Sequence, residues 1–295
     1  MQHLPKPAVG ALLLNTTIWG LSWTAFKSLQ AMGIHPLWST AAIFICCSLW
    51  LLLIKRNVLR EMRGHPELLY VALAAGAANS CFNGAIAFGD VVRVILLFYL
   101  MPIWTVILAR LMLHEPVTPR ALARIAVCLC GAMIVLYRPE LGVPLPHSIS
   151  DWAAVLGGLA LAVNNVLLRR LHGVSDSVRA IAMLGGGATL ATLLGVLCAG
   201  FGMIDWPLQV PSAAWPILGL WSVLFLISNL AMQYGVSRLP ANITAVLMLI
   251  EILIATFSAW LLGAAELRPQ DLIGGVLIIA TPWLIRDKRP QAATA

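Results

Sequence analysis

The sequence predicts an all-α integral membrane protein, and three observations carry that prediction: composition, the recurrence of long apolar runs, and the placement of the basic residues. Hydrophobic residues make up 60% of the 295 positions and charged residues 11%, with a mean hydropathy of +0.90. Soluble domains carry about 25% charged residues. Hydrocarbon is therefore the expected solvent for most of these side chains.

A bilayer crossing takes roughly 20 apolar residues. Ten runs of about that length stand between charge clusters and turn signals: 8–26, 36–54, 68–88, 92–113, 121–137, 152–168, 179–200, 213–234, 240–263 and 270–285. The connections are short and carry helix breakers, among them HP at 35–36, HEPVTP at 114–119, RPELGVPLPH at 138–147, DWP at 205–207 and RP at 268–269. The longest, KRNVLREMRGHPE, is too short to hold a soluble domain. The first run is too long and too aromatic for a signal peptide and lacks a small-residue cleavage site, so it reads as a true first helix.

Positively charged loops are retained in the cytoplasm. With the N-terminus inside, that side collects Lys6, Lys55, Arg56, Arg60, Arg63, Arg110, Arg120, Arg124, Arg169, Arg170, Arg179, Arg238, Arg286, Lys288 and Arg289, fifteen of the nineteen basic residues. Only Lys27, Arg93, Arg138 and Arg268 fall on the other. Both termini are thus expected in the cytoplasm of a multi-pass inner-membrane protein. The net charge of +7 is a topology signal and gives no reason to expect nucleic acid.

Reactive side chains are sparse. Cys46, Cys47, Cys81, Cys128, Cys130 and Cys198 all lie in predicted spans at spacings that match no zinc or redox motif, and read as small packing residues. His3, His35, His65, His114, His147 and His172 all fall in termini or loops, and neither GxSxG nor HExxH occurs. No metal, cofactor or enzymatic activity is expected. Glycine pairs and triplets at 157–158, 185–187 and 274–275 lie inside spans, where they let helices approach closely.

The two halves of the chain repeat. The segment from residue 87, AFGDVVRVILLFYLMPIWTVILARLMLHEPVTP, shares its punctuation with the one from residue 233, QYGVSRLPANITAVLMLIEILIATFSAWLLGAAELRP. Ungapped extension backwards sets Asn83 opposite Asn229, Phe88 opposite Tyr234 and Gly89 opposite Gly235. A three-residue insertion sets Pro102 opposite Glu251, and two more set Glu115 opposite Glu266. LAVNNVLLRRL at 161–171 can be laid on the end of the first run, with Arg169 against Lys27. Residues 1–146 and 147–295 then form repeats of five helices each. An odd number of crossings inverts the second repeat, the plan of many secondary transporters, in which substrate binds between the repeats near the bilayer midplane. Such a chain can function as a monomer.

The order of several loose motifs resembles the drug/metabolite transporter superfamily, in particular its ten-helix EamA-type members. They are WG at 19–20 with Phe26 and Lys27, Pro102, HEP at 114–116, Glu251, AAE at 264–266 and GGVLIIA at 274–280. Within that family the chain is similar to the bacterial YddG-like exporters of aromatic amino acids. The resemblance implies export of aromatic amino acids and related metabolites by alternating access through a central cavity. Many relatives follow the helix-nine Glu with Pro. Here Ile252 follows Glu251, so the resemblance does not imply a kink at that point.

Polar and aromatic groups at mid-membrane depth mark candidate cavity lining, because lipid does not accommodate them cheaply. Asn15, Trp19 and Trp23 recur four apart in the first helix, Asn79 and Asn83 in the third, and Trp221, Phe225, Asn229 and Gln233 in the eighth. Asn164 and Asn165 come from the sixth helix, and Phe98, Tyr99 and Trp104 flank Pro102, a candidate hinge, in the fourth. Each Asn is equally consistent with a hydrogen bond that joins helices. Trp38, Trp50, Trp152, Trp206, Trp215, Trp260 and Trp283 lie near span ends, as interfacial anchors do. Glu251 is the acidic residue well inside a span; it must face protein or water, and can bind a substrate ammonium or exchange a proton. Lys27 reads as the capping or snorkelling end of its helix.

An aromatic amino acid suits such a site, its ring against the tryptophans and its polar end on the asparagines. A broader drug or metabolite exporter, or a channel, is the alternative. The partners expected are a small molecule and the lipid bilayer.

Overall fold

The computed structural model describes residues 5–137, 145–207 and 210–284, the last three by backbone alone. His3, Arg138, Arg286, Lys288, Arg289 and the side chains of Pro282 and Trp283 lie outside the described residues. All described secondary structure is helical: α1 (Lys6–Leu21), α2 (Trp23–Ala31), α3 (Pro36–Ile54), α4 (Val58–Met62), α5 (Leu68–Phe88), α6 (Val91–Phe98), α7 (Met101–Met112), α8 (Pro119–Leu136), α9 (Ile149–Arg170), α10 (Asp176–Gly200), α11 (Ala214–Val236), α12 (Ala241–Met248), α13 (Ile250–Leu261) and α14 (Pro269–Leu284). Taking α6 with α7 and α12 with α13, eight helices among the described residues are long and apolar enough to cross a membrane. The described part of α14 is apolar but shorter. The first predicted span is divided at Ser22, whose hydroxyl donates to the Trp19 carbonyl at 2.7 Å.

Local chemistry sets the helix starts. Thr118 accepts from the Ala121 N–H at 3.1 Å with Pro119 opening α8, the first-turn position where the missing proline N–H costs nothing. Ser148 and Asp151 form a reciprocal capping box on α9. Faces turned away from the bundle remain apolar at helical spacing, as with Ile103, Ile107 and Leu111 on α7 or Leu272, Val276 and Ile279 on α14, all exposed. Water would penalise such a surface, and lipid accepts it.

Glycines form two of the tightest seams. A β-carbon on Gly131 of α8 would lie 2.8 Å from the Gly274 carbonyl oxygen on α14, and one on Gly274 would collide with the Gly131 carbonyl. A β-carbon on Gly76 of α5 would collide with the Gly186 carbonyl of α10, and one on Gly186 with the Ala72 backbone of α5.

The packing is reciprocal between the halves. α1 packs on α11 and α13, and α9 on α5, α6 and α7; α3 packs on α11 as α10 does on α5; α8 pairs with α14 and α3 with α10. One end of the bundle gathers α4, the start of α10, Glu115, Arg169 and the α11–α12 connection. The opposite end gathers Trp38 with Asp205, His35 with Phe88, Arg93 with Asp151, and Arg268 with the Val135 carbonyl.

Candidate functional site

Two interrupted helices define the centre. α6 and α12 each have 8 residues, and α7 and α13 each have 12. The interruptions fall at Tyr99–Leu100 and at Leu249. Pro102, the candidate hinge, is the second residue of α7, so the break lies just ahead of it. Its counterpart occurs without a proline: Ile252 follows Glu251 and the helix is still interrupted.

Tyr99 and Glu251 meet at these breaks, the phenol within reach of the carboxyl. Tyr99 is buried, whereas Glu251 keeps partial accessibility. The tight approach of α1 to α13 explains the small residue of the WG pair: a β-carbon on Gly20 would lie 2.9 Å from the Glu251 carbonyl oxygen and 2.8 Å from Ile254. Asn165 of α9 reaches both breaks. Its amide nitrogen lies 3.3 Å from the sulfur of Met248, the last residue before one break, and 3.9 Å from that of Met101, the first after the other. Its amide oxygen is buried without a protein partner among the described residues, as is the Trp104 indole nitrogen. Buried polar groups of this kind ordinarily find a partner. Phe98 packs against Phe82, ring centroids 4.5 Å apart, and against Tyr99 at 5.8 Å.

A second polar group lies nearer the Arg169 end. Asn164 and Gln233 direct their amide nitrogens to the Met183 sulfur at 4.0 and 3.5 Å, and Gln233 also reaches the Asn229 oxygen at 3.4 Å. The amide oxygens of Asn164 and Gln233 have no partner among the described residues. Beneath them, fully buried Arg179 donates to the carbonyls of Leu168, Leu171 and Gln233 and pairs with Asp176. Four carbonyl and carboxylate contacts suit the fixed guanidinium fork.

The aromatic candidates converge on Phe225. Trp19 meets it edge-on at 4.7 Å, Trp221 lies at 5.6 Å, and Phe44 and Phe26 lie at 6.1 and 6.4 Å. Trp23 instead donates to the Ser258 hydroxyl at 3.0 Å. The remaining asparagines hold helices. Asn15 donates to the Ser228 hydroxyl at 2.8 Å, Asn83 to the Thr40 hydroxyl at 2.7 Å, and Asn79 to the Ala75 carbonyl of its own helix at 2.9 Å. Lys27 is not at its helix end, since α2 continues to Ala31; it is exposed, its ammonium 5.8 Å from the Trp23 ring centroid.

Sequence reasoning missed Phe44, the three methionines and the Glu115–Arg169 pair, whose Oε1–Nε distance is 3.6 Å. Methionine in an apolar span looks like packing, so it carries no signal; the pair was detectable in the HEP motif. Among the described residues no three His, Cys, Asp or Glu side chains are placed to hold a metal.

An apolar-faced helical bundle with a polar interior defines a multi-pass membrane protein, and the curated proteins it is similar to are named as transporters. Residues 6–137 match the model of the EamA-like transporter family. The chain is 26% identical over 311 residues to a probable terminal-alkyne amino-acid exporter of Streptantibioticus cattleyicolor, covering 97% of both chains. It is 22% identical over 281 residues to the uncharacterized transporter YoaV of Bacillus subtilis, covering 89% of this chain and 91% of the relative. A solved crystal structure shares the fold with a TM-score of 0.74 at 19% identity, covering 93% of this chain and 94% of that one.

Proposed function

We propose that the protein exports amino acids, aromatic ones by preference, across the inner membrane by alternating access between two inverted five-helix repeats, residues 1–146 and 147–295. The observation that carries this reading is the Tyr99–Glu251 pair, set at the breaks of two helices that occupy equivalent positions in the halves. A carboxyl and a phenol offer an α-ammonium its charge-assisted partners. The free oxygen of Asn165 adds a third acceptor, and Trp104 and Phe98 supply faces for an apolar side chain. Glu251 serves as the proton- or substrate-coupling group, and Pro102 fixes the edge of the hinge. Reciprocal packing of the halves and the equal lengths of the interrupted helices support the inverted repeat. The basic residues gathered near Arg169 support a cytoplasmic placement of that end.

A broader preference for amino acids with apolar side chains is the second reading, favoured by the terminal-alkyne amino-acid exporter among the relatives. Uptake of tryptophan, phenylalanine, threonine and a cationic drug into liposomes, with and without a pH gradient, separates them. The aromatic reading predicts preference for the first two. Equal uptake of threonine supports the broader one, and uptake of the drug alone contradicts both.

A further inference from the structure

One end of the molecule is latched between its halves. The Glu115 carboxylate, just beyond α7, pairs with Arg169 at the end of α9 and accepts the Ala241 N–H at 3.2 Å, at the start of α12. Arg169 in turn donates to the Ser237 carbonyl at 2.6 Å. Three elements of the second half are thereby tied to one residue of the first. Both side chains remain partly accessible, at 24% for Glu115 and 30% for Arg169, so the pair is wet enough to open and close.

The repeat gives each member a counterpart at the opposite end, Glu266 for Glu115 and Lys27 for Arg169. Local geometry agrees with that assignment. α7 and α13 are of equal length, are followed by the cap residues Leu113 and Leu262, and turn through the left-handed residues His114 (φ 55°) and Gly263 (φ 68°) before reaching Glu115 and Glu266. The Trp23–Ser258 hydrogen bond fastens α2 to α13, so that one turn farther on Lys27 stands level with Leu262, at the start of the turn bearing Glu266. Yet the second pair is unmade. Both residues are exposed, and among the described residues neither has an ion-pair partner. Glu266 borders an open cleft of about 680 Å³ with Trp260 and Leu267.

We propose that Lys27 and Glu266 form the reciprocal latch, made when the Glu115–Arg169 latch opens, so that the molecule alternates between two end-closed states that exclude one another. This rests on the inverted-repeat reading of the transporter. Lys27 is then a gating residue, and Gly263 supplies the turn that lets Glu266 reach it.

The test uses the full chain in liposomes with its six cysteines replaced. Lys27→Cys with Glu266→Cys is cross-linked by a short bismaleimide, with and without Glu115→Ala. Removing the first latch should raise the cross-linking yield severalfold without any substrate, because it shifts the population toward the other closed end. A second measurement, in the native-cysteine background, compares Lys27→Glu and Glu266→Lys singly and together, with phenylalanine counterflow as the readout. The singles should lose transport and the double swap should regain most of it. Cross-linking unchanged by Glu115→Ala, or a double swap no better than the singles, overturns the latch. A rise in cross-linking in a protein that moves no amino acid would retain the latch and overturn the substrate reading instead.

Discussion

The Tyr99 phenol and the Glu251 carboxyl face each other from opposite halves of the chain, each beside the interruption of its own helix. An interruption frees backbone groups that are tolerated at membrane depth only where protein or water satisfies them. The placement of a carboxyl and a phenol there makes the junction polar as well as deformable. Tyr99→Phe keeps the ring packed on Phe98 and removes only the hydroxyl. Since a hydrogen bond to a charged group contributes about 1.5–3 kcal/mol, apparent substrate affinity should fall at least about tenfold. Binding isotherms in detergent check this.

Two asparagines should separate cleanly into structural and functional roles. Asn15→Ala leaves the Ser228 hydroxyl without its donor across α1 and α11, and should destabilise by about 0.6–1.7 kcal/mol while transport per folded molecule persists. Asn165→Ala removes an oxygen that has no protein partner among the described residues, and should impair transport with a smaller loss of stability. Thermal unfolding and liposome uptake, measured on the same preparations, decide both.

At the α8–α14 seam, Gly274→Val would drive a branched side chain into the Gly131 carbonyl and Val135. Membrane helices associate largely through such close packing, so the variant should lower the thermal midpoint sharply and reduce expression. Gly185→Val, where nothing lies within 4 Å of the added β-carbon, should be far milder. Size-exclusion profiles across temperature give the comparison.

His114 adopts φ 55° just beyond the end of α7, where glycine is the usual residue. A β-carbon in that conformation costs about 1–2 kcal/mol. His114→Gly should therefore raise stability by about 1 kcal/mol, read as a higher melting midpoint.

Much of this architecture was legible because a bilayer imposes simple rules. Long apolar runs such as 36–54 and 68–88 coincide with α3 and α5, since backbone groups in hydrocarbon must be satisfied within the helix. The break before Pro102 had a local signal. The one at Leu249 had none: Ile252 is an ordinary helix residue, and residues 246–254 contain neither proline nor glycine. Glu251 could be read from its depth alone. The division of the asparagines could not, because Asn15 and Asn165 look alike in sequence and differ only in whether a hydroxyl from α11 or a methionine sulfur faces them. Lys27 was misplaced as a helix end because α2 runs one turn beyond it, through the polar stretch Ser28–Gln30.

The central claim is that an amino acid crosses through the junction that holds Tyr99 and Glu251. Counterflow of labelled phenylalanine in liposomes tests it most directly, comparing the native protein with Glu251→Gln. The native protein should give saturable counterflow that unlabelled tryptophan inhibits, and Glu251→Gln should lower it at least about tenfold while remaining folded. Undiminished, fully saturable counterflow in Glu251→Gln would contradict the account.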